Sequence, residues 1–384
     1  MLVSDLHLGG GSAAARWGPG FADEFDGDEA FPTFLTSLTS GRGRPSRLVL
    51  LGDTLDFLRV PVPGALYARN DAEAVGQLDQ IAAAHPAVFE ALSTIANAGT
   101  TLDVVIGNHD VELARPAVQR RLRVLLKAAP GFAAAEAEAV RFHLWGYYVP
   151  GLLYAEHGNH YHDINSFRRP LVPFWGGRTE RPLAARLGSA RRGLLLQGRG
   201  QPNAPPLLHI VEDLFSVRRL SDAALREYCD GVLSGYAAKV GLPVSAVRRL
   251  DQLGRTSIVA TAARIARTRL ARGPSFRSAA PDVAASVHRV LAAAGCAVPF
   301  CVFGHTHAAC HLRLPGGVGQ YMNAGTWSTD YGRAVHRQPL PDPPRRTWID
   351  FVGHGSDRPQ AKLLRWAEHP ASASHIIEQT IGRG

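Results

Sequence analysis

The sequence predicts an α/β fold, because short apolar runs alternate with helical patterns along a chain that can bury a large core. The chain has 384 residues, of which 46% are hydrophobic, a fraction typical of globular proteins. Four short and mostly apolar runs have the character of buried strands, namely residues 48–51, 102–106, 152–155 and 300–303. Helical patterns lie between the early runs, and this alternation is typical of a layered α/β core.

The elements around these runs follow from local patterns. Residues 9–29 contain glycines, a proline and several acidic residues, which indicates an exposed loop leading into a helix that begins near Asp28. Residues 84–98 and 117–129 have helical patterns, and the second has one apolar stripe. Three later segments are strand-like and could extend a sheet, namely residues 311–314, 347–352 and 362–366.

A basic segment separates the third strand-like run from the fourth. Residues 168–280 contain 20 Lys and Arg and 7 Asp and Glu, an excess of 13 positive charges in a chain of net charge +9. The excess is compatible with an anionic partner, either a membrane surface or nucleic acid, and equally with compositional bias towards arginine. We expect a largely helical basic insertion or cap over residues 167–281, between core segments 1–166 and 282–384, and we predict no protein partner.

Within this insertion, residues 257–272 form a basic amphipathic pattern. A helix packed on the core is the default interpretation of such a pattern. The alternatives are a lid and a helix at a membrane surface.

The four cysteines indicate a reducing compartment, since they form no CxxC pair and no dense disulfide pattern. No run of about 18 apolar residues and no signal-peptide pattern occurs. We therefore expect a cytoplasmic protein, either free or peripheral at the membrane. Only four residues precede Asp5, so the first strand looks clipped, which leaves open a start further upstream.

Polar residues are grouped in five short blocks that lie at or just after apolar stretches. Together they offer carboxylate, side-chain amide and imidazole ligands, which suit two adjacent divalent metals and the hydrolysis of phosphate esters. In α/β folds such groups meet in loops past the carboxyl ends of the strands. The blocks are Asp5-Leu6-His7, Gly52-Asp53-Thr54-Leu55-Asp56, Gly107-Asn108-His109-Asp110, His157-Gly158-Asn159 and Gly304-His305-Thr306-His307.

The first two blocks offer ligands at suggestive spacings. Asp5 and His7 are separated by one residue, so in an extended segment both side chains face the same way and can reach one metal. Asp53 has two carboxylate oxygens and could bridge two cations about 3.5–4 Å apart. Taken alone, Asp53 could be a turn residue or a helix N-cap. Asp56 is better interpreted as a residue that supports the ligands, or as a surface residue of a helix, than as a ligand.

The last three blocks complete the set. Asn108 offers a neutral carbonyl oxygen, while His109 could donate a proton or hydrogen bond to the phosphate or the leaving oxygen. Asp110 could orient that imidazole. His157 follows an apolar run and offers a nitrogen ligand, and the last block offers two imidazoles, one for each metal. Taken alone, the third block would be an ordinary turn.

These blocks together resemble the calcineurin-like metallophosphoesterase superfamily, whose pattern is D-x-H, G-D-x-x-D, G-N-H-D/E, H and G-H-x-H. The resemblance implies a metallophosphoesterase-type sandwich of two mixed β-sheets flanked by helices. It implies that His109 is the catalytic imidazole and that a metal-bridging hydroxide attacks phosphorus. The implied metals are manganese, iron or zinc. The implied ligands are Asp5, His7, Asp53 and His307 at one metal, and Asp53, Asn108, His157 and His305 at the other.

Within the superfamily, the sequences of the blocks are most similar to those of the branch that contains bacterial UDP-diacylglucosamine hydrolases. Residues 4–9, 52–57 and 323–327 carry that likeness, whereas that branch usually has arginine at the position of His109. Phe57 disfavours the protein Ser/Thr phosphatases, which have arginine there. His160 and His162 could contact substrate phosphate or a third metal, but they are better interpreted as surface residues or as residues that support the ligands. Asn165 and Arg168 are candidates for phosphate recognition.

We therefore predict hydrolysis of a phosphodiester or pyrophosphate bond in a phosphorylated substrate, either a nucleotide or a lipid-linked compound. A metal-dependent nuclease and a phosphomonoesterase are the alternative enzymes. A non-catalytic scaffold of the same fold is a remote alternative, because such proteins typically lose the catalytic groups that this chain retains.

Overall fold

Two mixed β-sheets pack face to face and helices cover their outer faces, as the sequence predicts. The computed structural model describes residues 1–39, 44–127, 139–162, 164–167, 174–175, 178–201, 204–210, 223–254, 276–314, 317, 319–328, 346–352 and 359–366. The strands are β1 (Leu2–Val3), β2 (Arg47–Leu51), β3 (Thr101–Val105), β4 (Val140–His143), β5 (Gly146–Val149), β6 (Leu153–Glu156), β7 (Phe174–Trp175), β8 (Arg178–Thr179), β9 (Phe300–Phe303), β10 (Cys310–Arg313), β11 (Gln320–Asn323), β12 (Thr347–Val352) and β13 (Gln360–Arg365).

The first sheet has six strands in the order β13-β12-β1-β2-β3-β4. Strands β1 to β4 are parallel, whereas β12 pairs antiparallel with both β1 and β13. The second sheet has five strands in the order β10-β11-β9-β6-β5, with β6, β9 and β11 parallel and both edge strands antiparallel. The strands β7 and β8 form a separate pair.

The alternation of side chains along the strands explains the layers. Val49 and Leu51 of β2 face the second sheet and pack with Val302 of β9, whereas Leu48 and Leu50 face the helices on the other side. Because both faces of the central parallel strands are covered, their sequences are almost continuously apolar. Cys301 of β9 is buried in the core on the outer face of the second sheet, as expected of a small apolar residue.

Most of the helices fall into two groups. The helices are α1 (Gly11–Ala15), α2 (Ala30–Thr39), α3 (Asp71–Ala84), α4 (Pro86–Asn97), α5 (Pro116–Lys127), α6 (Leu183–Gly198), α7 (Ala223–Val240) and α8 (Phe276–Ala293), and residues 244–254 are also helical. Helices α2 to α5 cover the first sheet, and α7, α8 and residues 244–254 cover the second. The predicted helices at 84–98 and 117–129 correspond to α4 and α5.

The described part of the predicted insertion contains α6, α7 and residues 244–254, and its limits stay a prediction. The amphipathic pattern at 257–272 lies outside the described residues, as does Arg168. Among the helices that are described, none has both the length and the apolar character that crossing a bilayer requires.

The acidic loop before α2 differs from the expectation of an exposed segment. Glu24 is buried and forms an ion pair with Arg59. Asp23 accepts hydrogen bonds from the backbone N–H groups of Gly9 (3.3 Å) and Gly11 (3.1 Å), so it ties the loop to the segment after β1. The expectation was wrong because composition alone does not reveal the buried partners of acidic residues.

His85, at the junction of α3 and α4, anchors this loop and makes stability depend on pH. Its Nε2 lies 2.9 Å from Asp23 Oδ2 and its Nδ1 lies 2.8 Å from Asp28 Oδ1. Burial alone would lower the pKa of His85, but the two carboxylates outweigh burial and raise the pKa. A raised pKa in the folded state means that the stabilisation is complete below about pH 6.5 and is lost as pH rises through the folded-state value.

We expect His85→Gln to reduce the free energy of unfolding by about 1 kcal/mol or more at pH 6 and by less at pH 9. Urea denaturation at both pH values measures this difference. His209→Gln is the matched control, since His209 is exposed, and it should leave both values unchanged. A stability gap between wild type and His85→Gln that widened with pH would contradict this assignment.

Candidate metal centre

The first two blocks run side by side at the carboxyl ends of β1 and β2. The backbone N–H of Asp5 donates to Gly52 O (3.1 Å), and the N–H of His7 donates to Asp53 O (2.9 Å). These bonds continue the parallel pairing of the strands into the loops. The hydrogen bonds therefore fix Asp5 and His7 relative to Asp53, at the edge of the sheet where polar groups were expected.

The candidate ligands have an unusual backbone conformation. Among the described residues, six non-glycine residues have positive φ, and five of them are candidate ligands. Such residues are uncommon and cost on the order of 1–3 kcal/mol each unless the surrounding structure imposes them. Strained backbone concentrated in this way in one cluster of polar side chains indicates a functional site. The five are Asp5 (55°), His7 (56°), Asp53 (48°), His305 (64°) and His307 (56°).

The glycines of the blocks allow the loops to approach closely. A Cβ atom on Gly107 would lie 2.2 Å from Asp53 Oδ1, and one on Gly304 would lie 2.0 Å from Ser4 Oγ and 2.7 Å from Asp5 Oδ2. Neither position has room for a side chain. The glycines are therefore required where loops from different strands converge on Asp5 and Asp53.

One group of potential ligands consists of Asp5, His7 and His307, whose ligand atoms lie within 4.8 Å of one another. His307 Nε2 lies 3.1 Å from Asp5 Oδ1 and 3.2 Å from His7 Nε2. Asp5 and His7 follow β1 of the first sheet, whereas His307 follows β9 of the second. This group thus joins segments that are 300 residues apart.

A second group consists of Asp53, His157 and His305, again with ligand atoms within 4.8 Å of one another. Asp53 Oδ2 lies 3.1 Å from His157 Nε2 and 3.8 Å from His7 Nε2. The Asp53 carboxylate therefore contacts a member of each group, as expected of a residue shared between two cations.

Asn108 follows β3 and is buried beside these groups, in a loop that packs on Asp53. The backbone N–H of the next residue, His109, donates to Asp53 Oδ1 (2.8 Å). Asn108 Oδ1 is buried, and no described residue donates a hydrogen bond to it. A buried acceptor without a donor is costly unless something else binds it, so Asn108 fits a hard cation as its partner.

A carboxylate that the sequence did not single out for this role lies beside His109. His109 Nδ1 lies 3.0 Å from Asp56 Oδ2, and the same oxygen lies 3.3 Å from His7 Nδ1. Asp110 was expected to orient this imidazole. Its carboxylate accepts hydrogen bonds from Thr54 N (2.9 Å) and Gly107 N (2.6 Å), so Asp110 braces the loops, and Asp56 lies beside His109.

Burial and neighbouring charges shift the pKa values of two carboxylates in this site in opposite directions. Burial raises the pKa of the Asp5 carboxyl, but the positive charges of His307 and His157 outweigh this and hold it well below its usual range. His157 and His109 lower the pKa of Asp53 in the same way. The site therefore keeps two ionised carboxylates away from water, which requires positive charge beside them.

Asp110 has the opposite shift. Burial and the neighbouring Asp53 carboxylate raise its pKa to about 7, because a second negative charge beside Asp53 is unfavourable.

The other polar residues near His157 occupy different places. His162 Nδ1 lies 2.9 Å from His305 Nε2, and Asn165 Nδ2 lies 2.9 Å from the same His162 atom. His162 therefore contacts His305 at Nε2, and Asn165 in turn contacts His162. His160 is buried against Trp145, and burial together with the charge of His157 lowers its pKa to about 3.

The segment after the last histidines holds two ligand loops together. Asn323 Nδ2 donates to Gly304 O (2.7 Å), while the Thr326 hydroxyl and Trp327 N–H both donate to Asp5 O (2.8 and 3.1 Å). Residues 323–327, which resemble the corresponding segment of the UDP-diacylglucosamine hydrolase branch, therefore have a structural role in this chain.

Comparisons with known proteins add little to this geometry. No protein-family model and no curated protein sequence matches the chain. Among solved structures, the phosphopantetheinyl hydrolase PptH from Mycobacterium tuberculosis is similar over 88% of this chain and 97% of that chain, with 12% sequence identity and a TM-score of 0.26. At this level of similarity, fold and activity must be inferred from the residues of the chain itself.

Proposed function

We propose that the protein is a metal-dependent hydrolase that cleaves phosphodiester or pyrophosphate bonds with two divalent cations. The observation that supports this most strongly is the convergence of two ligand groups on the Asp53 carboxylate. The donor set is carboxylate, amide and imidazole, which suits manganese, iron or zinc. One cation would be held by Asp5, His7, Asp53 and His307, and the other by Asp53, Asn108, His157 and His305.

Two such cations would activate water and offset negative charge on the phosphoryl oxygens. The protein supplies the remaining chemistry through His109. Because Nδ1 of His109 faces Asp56, its Nε2 is the atom that would donate a proton or hydrogen bond to the leaving oxygen. The Asp56 carboxylate would stabilise the positive charge of that imidazole before transfer.

The direct test is hydrolysis of bis-p-nitrophenyl phosphate by the chelator-treated protein after addition of manganese, iron or zinc. The proposal predicts turnover that depends on metal and a rate on the diester above that on p-nitrophenyl phosphate. Faster cleavage of the monoester would favour a phosphomonoesterase instead. If no metal supported turnover of diester, monoester or pyrophosphate, the proposed function would be wrong.

His109→Ala separates proton donation from metal binding. For a diester with an alkyl leaving group, which needs a proton to depart, we expect kcat to fall by about 10²–10⁴-fold. The metal content, measured by plasma mass spectrometry, should stay close to that of wild type. The deficit should shrink for substrates whose leaving group needs no proton. Loss of metal in parallel with loss of activity would instead assign His109 to the ligand set.

A further inference from the structure

Exposed leucines are concentrated on and beside helix α6. Nine large apolar side chains are exposed in the described part of the chain, and six of them lie within residues 183–208. Single exposed apolar residues are ordinary on protein surfaces, whereas a concentration in one segment indicates a surface that contacts something apolar. All six are leucines, namely Leu183, Leu187, Leu194, Leu195, Leu207 and Leu208.

Three of these leucines form one line along α6, which we call the α6 stripe. Leu187 and Leu194 lie four and eleven residues after Leu183, and these spacings place side chains on the same face of a helix. Another face of α6 packs on the protein, since Ala185 and Leu196 are buried. The α6 stripe is therefore not the face by which this helix is held in the fold.

The surroundings of the α6 stripe are basic. Residues 181–210 contain five arginines and no aspartate or glutamate. Arg191 and Arg199 are exposed, and Arg191 lies three residues before Leu194, so the two side chains are neighbours on the helix surface. An arginine can lay its aliphatic stem along an apolar surface and extend its charged end beyond it. Leucines and arginines without acidic residues are complementary to a surface that is both apolar and negatively charged.

Contacts just before α6 fix the helix to the core of the protein. Arg181 forms an ion pair with the buried Glu112, and Arg115 Nε donates to Thr179 Oγ1 (3.1 Å). Glu112 is the third residue after His109, so these contacts tie the start of α6 to the segment that follows the third block. The α6 stripe is therefore a preformed surface, and binding to it does not require a helix to form first.

We propose that the α6 stripe docks the protein onto an anionic lipid bilayer, with the leucines among the acyl chains and Arg191 and Arg199 at the lipid phosphates. A nucleic acid offers phosphates and stacking bases but no apolar layer that aliphatic leucines could enter. A symmetric dimer through the stripe would bring the arginines of two copies together, which is unfavourable. The proposal requires neither metal binding nor hydrolysis, so its failure and that of the proposed function are distinguishable.

The test is cosedimentation of the full chain with vesicles made of equal parts phosphatidylcholine and phosphatidylglycerol. We expect wild type to bind them at least about tenfold more tightly than vesicles of phosphatidylcholine alone, and less tightly as salt is added. Leu187→Ser should lower the partition coefficient by about threefold or more, and Leu187→Ser combined with Leu194→Ser by about tenfold or more. Val124→Ser is the matched control, since Val124 on α5 is 52% exposed, as Leu187 is, and it should change the coefficient by less than about twofold.

Arg191→Gln and Arg199→Gln measure the electrostatic part of the binding. Each should weaken binding to the anionic vesicles by about fivefold and leave binding to phosphatidylcholine alone unchanged. All the substituted side chains are exposed, so each variant should fold, as judged by circular dichroism.

Two results with vesicles would overturn the proposal: no binding of wild type to the anionic vesicles, and equal binding of wild type and the leucine variants. Binding of a DNA duplex in place of vesicles would assign the arginines to nucleic acid. A dimer in solution that Leu187→Ser dissociates would assign the α6 stripe to a second copy of the chain. Either of these results would also overturn docking on a bilayer.

Discussion

Asp53→Asn is expected to reduce metal-dependent hydrolysis of bis-p-nitrophenyl phosphate on the order of 10³-fold or more. Oδ2 of this carboxylate lies 3.1 Å from His157 Nε2 and 3.8 Å from His7 Nε2, so it contacts a member of each ligand group. Asparagine has nearly the same shape but no negative charge, and its NH₂ group repels a cation. The measurement is kcat at saturating manganese, together with the metal content of the purified variant.

Asp282→Asn is the matched control for this substitution. Asp282 is exposed on α8, so the same chemical change there should leave both activity and metal content unchanged. If Asp53→Asn kept more than a tenth of the wild-type activity with two metals bound, a shared carboxylate could not be the basis of catalysis.

Gly304→Ala is expected to lower the free energy of unfolding strongly. The new Cβ would overlap Ser4 Oγ at 2.0 Å and approach Asp5 Oδ2 to 2.7 Å. Ser4 cannot move easily, because its hydroxyl is buried and donates to Asp5 Oδ2 (2.5 Å). We expect a loss of about 2–3 kcal/mol or more in the free energy of unfolding, measured by urea denaturation.

Gly76→Ala is the control with the opposite sign. Gly76 lies inside α3, and a Cβ there would meet no atom within 4 Å. The same substitution should therefore stabilise the protein by about 0.5–1 kcal/mol, since alanine loses less entropy in a helix. A loss at Gly304 no larger than the change at Gly76 would show that the close approach of the loops is not required.

The fold was predictable where burial is complete. Strands β2, β3, β6 and β9 are covered on both faces, so each is a mostly apolar run in the sequence. Strand β4 was not predicted, because its sequence Val-Arg-Phe-His has only four residues and two of them are polar, so it is not recognisable as an apolar run. The acidic loop was misjudged because Glu24 is neutralised by Arg59, a residue far along the chain.

The candidate site was predictable in its residues but not in its conformation. Residue type and order singled out Asp5, Asp53 and His307 as candidate ligands, because their side chains offer the donors that a divalent metal prefers. Nothing in the sequence indicates that these three have positive φ, because aspartate and histidine adopt that conformation too rarely for residue type to predict it. The contact of Asp56 with His109 could not be predicted either, because it depends on how two loops pack and not on the spacing of residues along the sequence.

The candidate ligands are divided between the two sheets: Asp5, Asp53 and Asn108 follow strands of the first, and His157 and His307 follow strands of the second. Cations bound between the two sheets would crosslink segments that are distant in the sequence and meet only in the folded protein. Unfolding would then release them, so each occupied site would add about 2.7 kcal/mol at a free metal concentration 100-fold above its Kd. A Tm that rises with added manganese in wild type, but not in Asp53→Asn, would show that cations bound at this site stabilise the folded protein.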